Sequence, residues 1–342
     1  MENRNVSEQL PPQAALLNMI VGFMSSQAIY VAAKLGIADL LKEGDRSVEE
    51  LARETGTHER SLYRVMRALS SVGIFTEVDA RRFALTPLAE PLRRDVPGSL
   101  RAMACFMSAD WHISPWGDIM HSVETGETSF KHIFGQEYFP YIGKHPEAAR
   151  VFDDAMTSLS AVAAPAIATA YDFSVFNKIV DVAGGHGLLL STILRAYPNL
   201  QGMLFDVPFV VEAARPLLAA QGVAERCELA AGDFFESVPM GGDAYLMKHI
   251  IHDWDDERAL KILGNCQRAM KKDGKLLLVE LVLPEGDAPS FGKFIDLEML
   301  LFTGGCERTG EGYRDLLAEA GFELTRIVPT ESPYSIIEGR RR

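Results

Sequence analysis

Residues 178–187, Lys-Ile-Val-Asp-Val-Ala-Gly-Gly-His-Gly, run an apolar segment straight into a cluster of glycines. Ile179, Val180 and Val182 read as a buried parallel strand. Gly184, Gly185 and Gly187 permit a tight turn and a close approach of backbone to a ligand, although glycines after a strand also serve plain packing. Leu188–Ala196 follows as a helix, so its free N–H groups face whatever sits on the glycine loop. Strand, glycine loop and helix in immediate succession open an α/β unit, and the rest of the chain has to supply the partner strands.

It does so from Phe176 onward. Strands are expected at 178–182, 202–206, 227–231, 244–248 and 275–283, with a late pair near 323–329 and 334–338. Helices alternate with them at 188–196, 210–221, 255–271 and 311–320. That order implies a doubly wound parallel sheet with right-handed crossovers, which binds ligands at the carboxyl ends of its strands.

Upstream, Ala14–Ala33 carries no charge and approaches the ~20 residues of a membrane span, yet it contains Asn18, Ser25, Ser26 and Gln27. A helix covered on every side, as by a partner subunit, is the expected reading. Ser47-Val48-Glu49-Glu50 makes a capping box, a second helix runs over 58–72 and closes at Gly73, and 74–76 with 82–85 form a hairpin. This is a winged-helix pattern. Over 45–82, seven arginines face seven acids, which does not make a DNA-groove surface and points to dimerisation. Residues 97–170 are mostly helical and rich in Met and aromatics. Met103, Phe106, Met107, Trp111, Phe152 and Met156, with Met299 downstream, are candidates to line an aromatic ligand's pocket, though most such residues are core by default. The expected division is a winged-helix region at 1–96, a helical linker at 97–170 and a cofactor-binding domain at 171–342.

A net charge of −13 and a pI near 5.1 disfavour nucleic acid and anionic membranes. Met1–Leu10 lacks the basic region of a secretory leader. Cys105, Cys227, Cys266 and Cys306 have neither disulfide nor zinc spacing, as expected of reduced thiols in the cytoplasm.

The strand ends carry the chemistry. Asp206, ending the second strand, is placed to accept from both hydroxyls of a ribose. Asp233 and Phe234, after the third, suit an adenine's amino group and face. Each has a plainer use, as a turn cap or as core, but together they point to an adenosine ligand. No third glycine follows Gly187, and Asp181, Asp206 and Asp233 would repel a pyrophosphate, so a cationic sulfonium, S-adenosylmethionine, is favoured over NAD. After the fourth strand, His252 is a candidate general base. The acids of 253–257 are explained by a helix N-terminus without a metal. Glu280 is an acid in a buried run and needs a partner. Glu307 could pair with Arg308.

These motifs, Asp181-Val-Ala-Gly-Gly-His-Gly187, Phe205-Asp-Val-Pro208, Gly232-Asp-Phe-Phe235, His252-Asp-Trp-Asp-Asp-Glu257 and Gly304-Gly-Cys-Glu-Arg-Thr309, closely resemble the S-adenosylmethionine-dependent O-methyltransferases of the caffeate and acetylserotonin type. The resemblance covers nearly the whole chain. It implies a doubly wound, Rossmann-like methyltransferase domain behind an N-terminal all-α winged-helix dimerisation domain. It implies His252 as the base that deprotonates a phenolic hydroxyl, Glu280 and Glu307 flanking it, and Asp253 beside it. For the cofactor it implies Gly184 and Gly185, Asp206, Asp233, Phe234, Lys248 and Ser160. The family is metal-independent and dimeric and methylates aromatic small molecules. Ala183 stands where the family has glycine, and is expected at a negative φ with weak consequences. Rival readings are hydroxylation or decarboxylation on the same scaffold, a DNA-binding regulator, and an NAD-dependent dehydrogenase; the set His252, Glu280 and Glu307 favours methylation.

Overall fold

The structure, a computed structural model, describes residues 11–342. The expectation for Met1–Leu10 falls outside the described residues. Contacts divide the chain between Ala109 and Asp110 into two units.

In the first unit the apolar stretch expected as one helix is two, Pro12–Ile20 and Gly22–Leu35, jointed at Val21. Glycine at the joint has the highest backbone entropy to lose in a helix interior, which favours a break there. Leu16, Leu17, Met19, Ile20, Phe23 and Met24 are all exposed in the single chain, at 57–78%. The capping box forms as expected, with Glu50 N–H donating to Ser47 Oγ at 3.2 Å and Ser47 N–H to Glu50 Oε2 at 2.8 Å. His58 caps helix Glu59–Ser71. Gly73, at φ +80°, ends it, with Ile74 N–H reaching back to Leu69 O. The wing strands Phe75–Asp79 and Arg82–Leu85 gain a third short strand, Arg46–Ser47, in the order 46–47, 82–85, 75–79. Leu51, Leu62, Met66, Leu69, Phe75 and Phe83 form its buried core. Two of its arginines are spent on acids: Arg81 on Glu49 and Glu59, Arg82 on Asp45 and Glu50.

The second unit starts with four short helices and the 25-residue helix Pro146–Ala170. Its sheet has seven strands: β1 (Lys178–Val182), β2 (Gln201–Asp206), β3 (Cys227–Ala231), β4 (Ala244–Lys248), β5 (Lys275–Glu280), β6 (Phe322–Pro329) and β7 (Ser335–Arg341). The spatial order is β6-β7-β5-β4-β1-β2-β3, parallel except for β7, which runs antiparallel to both neighbours. Alternate residues feed two cores: Ile179, Leu204, Leu246 and Leu277 pack on one face, and Val180, Val182, Tyr245 and Leu278 on the other. Burial on both faces is why these strands read as continuous apolar runs. The order reverses between β1 and β4, so the crevice for a ligand lies at their carboxyl ends. The strand expected over 275–283 stops at Glu280, and Val282–Leu283 pairs instead with Arg308–Thr309.

Candidate active site

Behind β1 the chain leaves the sheet through Ala183, whose N–H bonds Phe205 O at 2.7 Å. Its φ is +55°, so the expectation of a negative φ is corrected. The turn that swings the loop over β2 needs the left-handed region at this residue, and alanine adopts it under strain. Gly184 is required by space, since a Cβ there would lie 2.4 Å from Leu204 Cδ1 and 2.5 Å from Asp181 Oδ2. Gly185, at φ +59°, donates its N–H to Asp206 Oδ2 at 2.9 Å, and Asp206 Oδ1 accepts from Val207 N–H at 2.7 Å. His186 is held from the Pro146–Ala170 helix, with Nδ1 3.0 Å from Thr157 Oγ1 and Nε2 4.0 Å from Asp153 Oδ2.

Around this loop the acids outnumber the bases. Burial and then the Asp206 charge push Asp181 up to about 7, and its Oδ2 has no hydrogen-bond partner. Burial lowers Lys248 to about 8 against the pull of Glu280 and Asp181, and its Nζ lies 5.5 Å from the Tyr334 ring centroid. Burial raises Asp206, opposed by the two backbone N–H groups. Asp233 Oδ1 accepts from Phe235 N–H at 2.8 Å, and Phe234 packs edge-on against Phe235 and Trp254. Ser160 is half-buried, three residues beyond Thr157 on the same helix.

The candidate catalytic residues converge from three segments. His252 lies in the 3-10 turn Ile251–Asp253 just after β4. Its Nδ1 is 2.7 Å from Glu307 Oε1, and its Nε2 is 3.8 Å from Asp253 Oδ1. Glu280, at the end of β5, accepts from Ile250 and Ile251 N–H through Oε1 at 3.2 and 3.0 Å. Glu307 is therefore paired with His252; Arg308 instead binds Asp256 and the carbonyls of Ile251, Cys306 and Trp254. Gly305 makes the convergence possible, since a Cβ there would lie 2.0 Å from His252 O. Burial opposes charge on His252, but Asp253, Glu280 and Glu307 outweigh it and raise its pKa to about 10. Burial raises Asp253 to about 6 and Glu280 to about 7. Donor atoms of His252, Glu280 and Glu307 lie within 4.8 Å of one another, close enough to hold a cation, although Oε1 of each glutamate is already engaged.

Of the aromatic candidates, Trp111 and Phe152 pack on Tyr138, and Phe139 links this cluster to Trp254, two residues from His252. Met156 is half-buried and Met299 buried. Met103, Phe106 and Met107 belong to the Arg101–Met107 helix of the first unit, where Phe106 is buried and Met107 exposed. Several residues escaped the sequence reading. His249, half-buried at φ +56°, packs on His252 and Tyr334. The pair of buried His112 Nε2 and half-buried Glu298 Oε1, at 3.0 Å, joins residues 186 apart with no local signal. Trp254 stood inside a quoted motif without a role.

Residues 116–323 match the family model of the O-methyltransferase domain, and residues 17–95 that of the O-methyltransferase dimerisation domain. The chain belongs to this O-methyltransferase family. It is 47% identical to a phenazine O-methyltransferase of Lysobacter antibioticus over 99% of both chains. The crystal structure of LaPhzM superposes with a TM-score of 0.95 at 47% identity, covering 97% of this chain and 100% of that one. An O-methyltransferase from neocarzinostatin biosynthesis, solved with S-adenosylmethionine and 2-hydroxy-5-methyl naphthoic acid, superposes at 0.80 with 31% identity, covering 93% and 96%. This O-methyltransferase is thus an S-adenosylmethionine-dependent enzyme of the aromatic natural-product type, with a seven-stranded α/β domain behind a helical dimerisation domain.

Proposed function

We propose that this enzyme methylates a phenolic hydroxyl of an aromatic small molecule, with His252 as the general base, and that it works as a homodimer. The observation that carries the reading is the 2.7 Å contact between His252 Nδ1 and the buried carboxylate of Glu307. A carboxylate only accepts, so Nδ1 keeps its proton and Nε2 is left to take one. S-adenosylmethionine, when bound, supplies a methyl group on a positively charged sulfur. The residues present fit it: Gly185 leaves open space above the loop, and Asp206 keeps lone pairs for ribose hydroxyls beyond its two N–H bonds. The unpartnered, buried Asp181 Oδ2 and the neighbouring Asp206 favour a cation over a pyrophosphate. Asp233, Phe234, Lys248 and Ser160 complete the proposed cofactor contacts.

The protein's task is to make a nucleophilic oxygen. A phenol ionises near pH ~10. The His252 imidazolium is held at about 10, so the proton passes between near-equals. Glu307, Glu280 and Asp253 stabilise the imidazolium once it has formed. Such a base contributes roughly 10²–10⁴ in rate, and alignment of the acceptor adds to it. His252→Gln is expected to keep S-adenosylhomocysteine binding by calorimetry while turnover falls by about that factor; undiminished turnover would remove His252 as the base.

This route uses no divalent metal. Activity after exhaustive chelation should be unchanged. A loss restored by added Mg²⁺ or Zn²⁺ would make His252, Glu280 and Glu307 a metal site instead. Cys227, Cys266 and Cys306 are free thiols, which suits a cytoplasmic setting.

A further inference from the structure

Every N–H of the Arg308 side chain is engaged inside the protein. Nε and Nη2 donate to Asp256 Oδ1 at 3.1 and 2.6 Å, Nη2 also to Trp254 O at 3.1 Å, and Nη1 to Ile251 O and Cys306 O, both at 3.2 Å. A guanidinium carries five N–H groups, and these five bonds use them all. The Arg308 side chain is 6% exposed, and its carboxylate partner Asp256 stands at the surface, 73% exposed. No donor is left on Arg308 for a ligand.

The bonds converge on the catalytic turn. Ile251 and Trp254 bracket His252 and Asp253, and Cys306 directly precedes Glu307. One planar fork thus grips the carbonyls on both sides of the base and the carbonyl next to the base's carboxylate. The backbone of Arg308 lies opposite Val282 in the short parallel pair of 282–283 with 308–309, two residues beyond Glu280. His252, Glu280 and Glu307 come from three separate segments, and Arg308 is joined to all three. Glu307 has a second hold, its N–H donating to Asp296 Oδ1 at 2.8 Å.

The alignment decides a tautomer. Glu307 keeps a proton on His252 Nδ1 only while carboxylate and ring stay in line, because such a bond weakens steeply with distance and angle. Once the two segments slide apart, the ring's proton is free to sit on Nε2, the nitrogen that must receive the phenol's proton. A lysine at 308 would keep the charge, but it offers three donors on one flexible nitrogen in place of a rigid fork of five.

We propose that Arg308 is the positioning residue of this site, setting the register between the His252 turn and the Glu307 loop and with it the tautomer of the base. The assignment rests on the reading of His252 as that base.

Arg308→Lys tests the fork, and Asp256→Ala withdraws its outer anchor from the surface side. Rates with labelled S-adenosylmethionine and the best acceptor from a panel of hydroxyphenazines should show kcat reduced about tenfold to a hundredfold in Arg308→Lys, with KM little changed, and a smaller fall in Asp256→Ala. In the His252→Gln background, Arg308→Lys should cost little more. The downfield proton NMR signal of His252 Nδ1–H, identified by its loss in His252→Gln, needs no acceptor. It should broaden or move in both variants while S-adenosylhomocysteine binding holds, a readout that a purely structural role would leave alone. An unmoved signal, an unreduced kcat, or a loss as large without His252 as with it would each overturn the positioning role. Full turnover in His252→Gln itself would instead remove the base, and with it the group through which Arg308 acts.

Discussion

At Ala183 the backbone takes φ +55°, which costs an L-residue with a Cβ roughly 1–2 kcal/mol. Ala183→Gly should relieve most of this, less the entropy that glycine adds to the unfolded chain, and raise stability by about 0.5–1 kcal/mol. Thermal melting checks it, and a lower midpoint would contradict the strain argument. Gly305 is the opposite case: Gly305→Ala forces a methyl group against the His252 carbonyl, and backbone cannot yield as a flexible side chain would. The His252–Glu307 contact should open and turnover collapse, while S-adenosylhomocysteine binding on the distant glycine loop persists. The pH profile belongs to this scale too. With His252 raised to about 10, the neutral base should grow about tenfold per pH unit from neutrality, so kcat/KM should climb towards the alkaline side. Glu307→Gln removes one of the raising charges, so the climb should end at lower pH, with a reduced plateau. A plateau reached at the same pH would show that Glu307 does not set the imidazole's charge. His252, Glu280 and Glu307 could be chosen from the sequence because each is a polar residue where a strand or glycine loop ends. Their convergence was legible only through the family resemblance and not in the local pattern, because it depends on Gly305 fitting against a turn some fifty positions away.

At the level of elements, the strand and helix alternation was legible because strands buried on both faces are written as unbroken apolar runs. The ends were less so: the 275–283 run hides a break at Glu280, whose carboxylate leaves the sheet to bind two backbone N–H groups. Nor does local pattern announce that β7 runs backwards. One buried acid secures it. Glu338 accepts from Tyr171 Oη, Lys275 Nζ, Thr325 Oγ1 and Arg326 Nε, tying β7 to β6, β5 and the end of the long helix. Burial alone would raise its pKa, but these donors together lower it to about 2. A carboxyl lowered on folding adds stability above its unfolded value and loses it as pH falls through the folded one. The contribution is therefore intact above ~pH 5 and fades towards 2. Glu338→Gln should cost about 2 kcal/mol near neutrality, seen in urea unfolding, and the gap to the parent should close in acid.

For the whole molecule, the unresolved balance lies in the first two helices. Within Pro12–Leu35 an 18-residue window is apolar enough for a membrane, with a mean hydropathy of 1.5. The joint at Val21, however, splits it into 9 and 14 residues, each short of the ~20 that a span needs. Six large apolar side chains stand exposed on it, a patch that a free subunit would not keep in water. Residues 17–95 match a dimerisation domain, and an acidic chain gains nothing from an anionic bilayer. A second copy of the same helices is the cover that satisfies these facts together. Met19→Glu with Phe23→Glu should halve the mass seen by light scattering, since two carboxylates per subunit cannot be buried unpaired in such a seam. Parent protein that floats with neutral vesicles, or a double variant that keeps the parent's mass, would place the contact elsewhere. A monomer that still binds S-adenosylhomocysteine would further show that the cofactor fold stands without its partner.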